Sequence, residues 1–275
     1  MELLPALSSF GRGDTVEIEV RTAPESGEVI VRHLGDVIQR HVYEGAARIR
    51  LTGLAVGGYG VELLTPTGSA KTAIEVTSDD RARLRYGFVA DYAQGRDVAG
   101  LSDLVRRLHL TDVMLYDWAY RHADLLGGGE EYRDALNQPI SLETVGRVVA
   151  AVQEAGARAM GYAAVYAVGP DEWPAWQHDA LLQATGEPYG LGDFLFLVDP
   201  ASADWQASFS GQLKDSVQRL GFDGFHLDQF GYPKRAERPD GQAVDVAASL
   251  VAMIGAVRSA LPDAQLVFNN VNDFP

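Results

Sequence analysis

The sequence predicts a β-sandwich followed by a domain of alternating strands and helices, either an incomplete (β/α)8 barrel or a smaller open α/β sheet. Three observations carry this reading. The first 80 residues break into short runs with a period close to two, separated by Gly, Pro, Ser and Asp. From residue 84 onward, apolar strand-like runs alternate with runs of helical period. The 275 residues are 47% hydrophobic and contain no cysteine, so the chain can fill a sizeable core and has no disulfide framework to replace one.

The sandwich strands are predicted as DTVEIEV (14–20), EVIVRHL (28–34), AARIRLTGL (46–54), GYGVELLTP (58–66) and AKTAIEV (70–76). The polar stretch SDDRARLR (78–85) marks the boundary, giving domains 1–80 and 84–275. Beyond it, RYGFVADY (85–92) is a strand, DVAGLSDLVRRLHL (97–110) a helix and DVMLYDW (112–118) a strand. SLETVGRVVAAVQEAG (141–156) is a helix with Ser141 placed to cap it and Glu143 in its first turn. ARAMGYAAVYA (157–167) and FLFLVDP (194–200) follow as strands, then a helix over 202–221. FDGFHLDQFG (222–231) is the next strand, 245–262 a helix and AQLVFNNVN (264–272) the last strand. About six strands thus precede Pro275, against eight in a complete barrel.

Several functions are excluded. A formal net charge of −15, of which −12 falls after residue 83, makes nucleic acid a poor partner. No apolar run reaches about 18 residues, and MELLPALSSFGRGD lacks a basic leader, so neither a membrane span nor a signal peptide is expected in this chain. Thiolate catalysis is impossible without cysteine. The first βα strand is followed by DYAQGRD instead of GxGxxG, GxSxG is missing, and the six histidines form no HExxH. No cofactor and no metal are expected.

In a barrel, side chains at the carboxyl ends of the strands converge on one mouth. Here those positions hold Asp91, then Tyr116, Asp117, Trp118, Tyr120 and His122, then Tyr162 and Tyr166, then His226 and Asp228, then the Asn269, Asn270 and Asn272 cluster. Aromatic faces with carboxylates and amides suit a polyhydroxylated substrate. Asp228 carries the catalytic expectation, since it ends an apolar strand, sits beside potential hydrogen-bond donors and precedes a loop containing Gly231, a place from which a carboxylate can be presented to a substrate. Asp117 is open to substrate binding, proton transfer or a structural network. His226 shares the strand face of Asp228 and could orient it or touch the substrate.

The segments RYGFVADY, LYDWAYRH, MGYAAVYA, DGFHLDQFG and VFNNVN resemble glycoside hydrolase family 66, the dextranases and cycloisomaltooligosaccharide glucanotransferases. The resemblance implies an immunoglobulin-like β-sandwich followed by a (β/α)8 TIM barrel, incomplete in this chain. It implies retaining chemistry on α-1,6-linked glucan, with Asp228 at the nucleophile position and the acid/base glutamate beyond Pro275. Leu227 and Gln229 stand where family members commonly carry Gly and Thr, which bears on dextran specificity more than on the nucleophile. Hydrolysis is the main expectation, glucan transglycosylation to cyclic isomaltooligosaccharides the close alternative, and a non-catalytic carbohydrate-binding protein a third. The implied partner is an α-glucan oligosaccharide or polysaccharide, and the implied location is secreted or cell-surface.

Overall fold

The structure, a computed structural model, describes residues 1–22, 25–79, 81, 83–228 and 231–269. In chain order the elements are β1 (Glu2–Pro5), β2 (Phe10–Gly11), β3 (Val16–Arg21), β4 (Ser26–His33), β5 (Asp36–Glu44), β6 (Arg48–Leu51), β7 (Gly57–Thr65), β8 (Gly68–Thr77), β9 (Tyr86–Val89), α1 (Leu101–Arg107) and β10 (Asp112–Leu115). They continue with β11 (Glu131–Arg133), β12 (Pro139–Ser141), α2 (Leu142–Glu154), β13 (Arg158–Ala164), β14 (Ala167–Val168), α3 (Trp173–Trp176), β15 (Gly190–Leu191) and β16 (Leu195–Leu197). The last are α4 (Ala203–Leu220), β17 (Gly224–Asp228), β18 (Arg235–Glu237), β19 (Ala243–Asp245), α5 (Val246–Ala260) and β20 (Gln265–Phe268).

Two compact units result. Residues 1–87, 98–113 and 150–158 form one, and residues 88–97, 114–149 and 159–275 the other. In the first unit, a sheet ordered β1-β3-β6 and a sheet ordered β2-β8-β7-β4-β5 share one core. Leu3, Val16 and Ile18 from the smaller sheet meet Val31, Val61, Leu63 and Val76 from the larger. The alternating burial along β6, β7 and β8 is the period seen in the sequence. β5 had no such signature: it is an edge strand with all but two of its residues exposed, so nothing in its sequence alternates.

The other major sheet is ordered β20-β17-β13-β10-β9. β13, β17 and β20 pair in parallel, with Tyr162 opposite His226, Ala164 opposite Asp228 and Leu227 opposite Phe268. This is the consecutive order of an opened barrel, and together with the two-sheet unit it is a sandwich followed by an incomplete barrel. Ser141 caps α2 through the Thr144 amide at 3.4 Å, Ser202 caps α4, and Asp245 caps α5. Asp223 and Gly224 set up β17. The Asp223 carboxylate accepts the Ala159 amide at 2.8 Å, and a Cβ on Gly224 would lie 1.9 Å from the Gln265 carbonyl oxygen.

One strand differs from expectation. FLFLVDP was expected in the βα series, but β16 pairs antiparallel with β14 and β15 in a small sheet of its own. The parallel sheet therefore holds five strands among the described residues instead of about six. The reason is physical: a short apolar run signals burial, and Leu195, Leu197 and Val198 are buried here by a local sheet. Asp199, which closes that run, is buried against Arg238, whose Nε donates to it at 2.6 Å.

Candidate active site

Four elements bring polar side chains to the carboxyl ends of the parallel strands. β17 alternates, so Phe225 and Leu227 are fully buried while His226 and Asp228 face the opposite side. Tyr162 of β13 shares that side: its hydroxyl donates to Asp228 Oδ2 at 3.0 Å. Asn269, just beyond β20, donates from Nδ2 to Asp228 Oδ1 at 2.5 Å. Both carboxylate oxygens are thus held, one from each neighbouring strand. The Tyr162 ring lies edge-on to Tyr116 with centroids 4.9 Å apart, and stacks at 6.3 Å on His226.

Asp228 opens into a cavity of about 250 Å³. Its polar wall includes Tyr116, Asp117, Asp134 and Tyr162, and its apolar wall Leu125, Leu136, Leu191 and Phe194. Leu136, Leu191 and Phe194 are exposed. A second cavity of about 260 Å³ shares Tyr116, Asp117 and Asp134 with the first and adds Asp91, Gln138 and Ile140. Tyr116, Asp117 and Asp134 therefore stand between two lobes of one cleft.

Electrostatics distinguish the carboxylates. Burial, and then the charges of Asp134 and Asp228, push Asp117 up to about 6, so it holds its proton into mildly acidic solution. Asp117 and Asp91 both adopt left-handed backbone, at φ 51° and 70°, a region Asp tolerates better than most residues. At Asp91 this turn is secured by Arg96, which donates to the Ala90 and Asp91 carbonyl oxygens and pairs with the Asp91 carboxylate at 3.3 Å. Burial drives the Tyr162 hydroxyl's pKa up, and the Asp228 charge adds to the shift, so Tyr162 remains a donor.

The remaining sequence-predicted residues are spread more widely. His122 lines the first cavity; its Nδ1 makes no hydrogen bond and lies 4.0 Å from Glu172 Oε2, and burial lowers its pKa to about 4, leaving the imidazole neutral. His226 lies beneath Tyr162 and lines neither cavity, and its pKa is lowered by burial. Trp118 is fully buried against Phe222 and its indole N–H donates to the Tyr162 carbonyl at 3.0 Å, so it supports the strand that carries Tyr162. Tyr166 is buried too, its hydroxyl donating to the Tyr232 carbonyl at 2.7 Å. Tyr120 packs edge-on to Tyr132 with the Arg121 guanidinium 4.2 Å above its ring, outside both cavities. Asn270 and Asn272 lie outside the described residues.

Asp134 was not anticipated. It sits in the β11–β12 turn and accepts the Leu136 and Gln138 amides at 2.9 and 2.7 Å, a pattern that reads in sequence as an ordinary turn aspartate. Among the described residues, no group of three or more His, Asp or Glu side chains is placed to hold a metal, and no helix is long and apolar enough to cross a membrane.

A β-sandwich unit with a barrel-type sheet, and a cleft lined by acidic and aromatic side chains at the carboxyl ends of its strands, define the class: a sandwich followed by an incomplete barrel. The model of glycosyl hydrolase family 66 matches residues 8–275, and the chain belongs to that family. It is similar to the cycloisomaltooligosaccharide glucanotransferase of Niallia circulans, 28% identical over 226 residues, which cover 75% of this chain and 23% of that protein. The dextranase of Streptococcus salivarius is 26% identical over 237 residues, covering 74% of this chain and 29% of its own length. The chain thus spans about a quarter of these relatives. A solved structure of the Paenibacillus sp. cycloisomaltooligosaccharide glucanotransferase complexed with cycloisomaltoheptaose superposes with a TM-score of 0.84 at 23% identity, covering 98% of this chain and 44% of that one.

Proposed function

We propose that this chain carries the nucleophile-bearing part of a retaining enzyme that cleaves α-1,6-linked glucan and transfers the released glucosyl chain. The observation that carries the reading is Asp228, set at a strand end with both carboxylate oxygens held by Tyr162 and Asn269 and open to the cleft. In the first step an Asp228 oxygen forms an ester bond to the anomeric carbon while the glycosidic C–O bond breaks and its oxygen takes a proton from an acid. In the second, an acceptor hydroxyl attacks the same carbon, gives up its proton and frees Asp228. Asp117, protonated up to about pH 6, suits a hydrogen bond to a sugar hydroxyl beside the reacting centre. Among the described residues no glutamate lines either cavity, and the acid/base role is assigned in this proposal to the later strand that the family resemblance implies.

Transfer is favoured over the hydrolysis expected from the sequence. The Niallia and Paenibacillus relatives are named as glucanotransferases, and the exposed Leu136, Leu191 and Phe194 offer a face that suits sugar C–H surfaces and gives water nothing. Hydrolysis remains the second reading, favoured by the dextranase relative. A polymeric glucan substrate fits a secreted or cell-surface location.

The test is product analysis by mass spectrometry after isomaltooligosaccharides are incubated with the chain extended through that later, acid/base-bearing strand. Intramolecular transfer yields rings one water lighter than the linear chain of equal length, and hydrolysis yields only linear sugars. The expected result is cyclic products from the wild type and none from Asp228→Asn. Glucan binding without products from the wild type would instead identify a carbohydrate-binding module.

A further inference from the structure

The loop from Arg121 to Leu125 walls the Asp228 cavity with Arg121, His122 and Leu125, yet it belongs to no helix or strand. Its backbone is held by side chains from later in the chain. Glu172 Oε1 accepts the Ala123 and Asp124 amides at 2.7 and 3.1 Å, and Oε2 accepts those of His122 and Gly169 at 3.2 and 2.9 Å. Gln212 accepts the Leu125 amide at 2.9 Å. Beside this, Asp171 receives Arg121 Nε at 2.5 Å. Within the loop, the Tyr120 and Arg121 amides donate to the Leu125 and Asp124 carbonyls at 3.0 Å each. Three consecutive amides converging on one carboxylate make an anion nest, and the Glu172 side chain inside it is 10% exposed.

We propose that Glu172, assisted by Asp171, is a positioning residue: it latches the 121–125 loop so that Arg121, His122 and Leu125 present a fixed wall to the glucan. The physical reason is the distribution of donors. Without the Glu172 carboxylate, the His122, Ala123, Asp124 and Gly169 amides lose their acceptor, and a loop without such anchoring relaxes. Glu172 lines neither of the two cavities, so it acts through the loop and not by touching the reacting atoms. Its effect therefore falls on substrate affinity more than on bond-making at Asp228. The affinity part rests on the functional reading above, whereas the latch itself does not.

The experiment pairs amide hydrogen exchange with the kinetics of fluoride release from α-isomaltosyl fluoride, whose leaving group needs no general acid, for Glu172→Ala and Glu172→Gln. Glutamine keeps one acceptor oxygen but turns an NH2 toward the other amides, so it is the partial case. The expected result for Glu172→Ala is exchange at His122, Ala123 and Asp124 faster by about tenfold or more, with β17 unchanged. KM rises by about tenfold while kcat stays within about threefold, and Glu172→Gln lies between. If the alanine variant does not fold, the glutamine variant carries the same readouts. Unchanged exchange overturns the latch; released amides with an unchanged KM, or a fall confined to kcat, overturn the positioning role. A wild type that binds isomaltotriose but releases no fluoride from α-isomaltosyl fluoride would count against the enzyme reading alone, and an unchanged calorimetric Kd in both variants would then overturn the positioning role. A wild type that binds no glucan overturns both.

Discussion

Replacing Tyr162 by Phe deletes one oxygen and little else. The ring keeps its contacts with Tyr116 and His226, at 4.9 and 6.3 Å between centroids, while the 3.0 Å bond to Asp228 Oδ2 disappears. A hydrogen bond to a charged group contributes about 1.5–3 kcal/mol. Asn269 still holds Oδ1 at 2.5 Å and Asp228 lines the open cavity, so the lower part of that range applies. At about 1.4 kcal/mol per decade, formation of the glycosyl-enzyme should slow by about 10–30-fold. The assay is fluoride release from α-isomaltosyl fluoride, whose leaving group needs no general acid, so the rate reports attack by Asp228. A folded variant with a rate within about twofold of wild type would refute the claim that Tyr162 orients the nucleophile.

Three further outcomes are expected. Asp117→Asn should change the pH dependence of stability: with the native pKa near 6 and the ordinary value at 3.8, the native state binds more protons across that interval, so wild-type stability falls as pH rises through it. Urea midpoints at about pH 4.5, inside this window, and at about pH 7, above it, should show the Asn variant losing less stability, and parallel behaviour would contradict the assigned environment. Asp112→Ala should destabilise by about 3 kcal/mol, because it removes the fully buried carboxylate that Arg158 Nε and Nη2 reach at 2.7 and 2.9 Å, and urea unfolding measures it. Trp118→Ala should cost about 3–5 kcal/mol by the same method, since the indole is fully buried and its N–H bond to Tyr162 is lost.

How far the sequence could be read follows from which signals are local. The period-two runs of β7 and β8 and the capped helix after Ser141 were legible because burial on one face, and a hydroxyl before a helix, leave marks in consecutive residues. β5 was not, because an exposed edge strand has no buried face to impose a pattern. FLFLVDP showed that an apolar run reports burial and not the sheet that does the burying. In the site, strand alternation put His226 and Asp228 on one face, and the structure keeps them there. The Trp118 and Tyr166 side chains also follow strand ends, yet both point into packing, a choice made by neighbours distant in sequence such as Phe222 and Tyr232. Asp134 and Glu172 were silent for the same reason: each looks like a turn residue until the backbone it serves folds around it.

The most direct measurement is to trap the intermediate. A fluorinated α-isomaltosyl fluoride, whose ring fluorine slows release and whose anomeric fluoride leaves unaided, is incubated with the intact chain, and the labelled peptide is mapped by mass spectrometry. Asp228 as the nucleophile predicts one glycosyl ester, located on Asp228 and missing from Asp228→Asn. An ester on Asp117 or Asp134, or an unlabelled wild-type protein that binds the reagent, would contradict it.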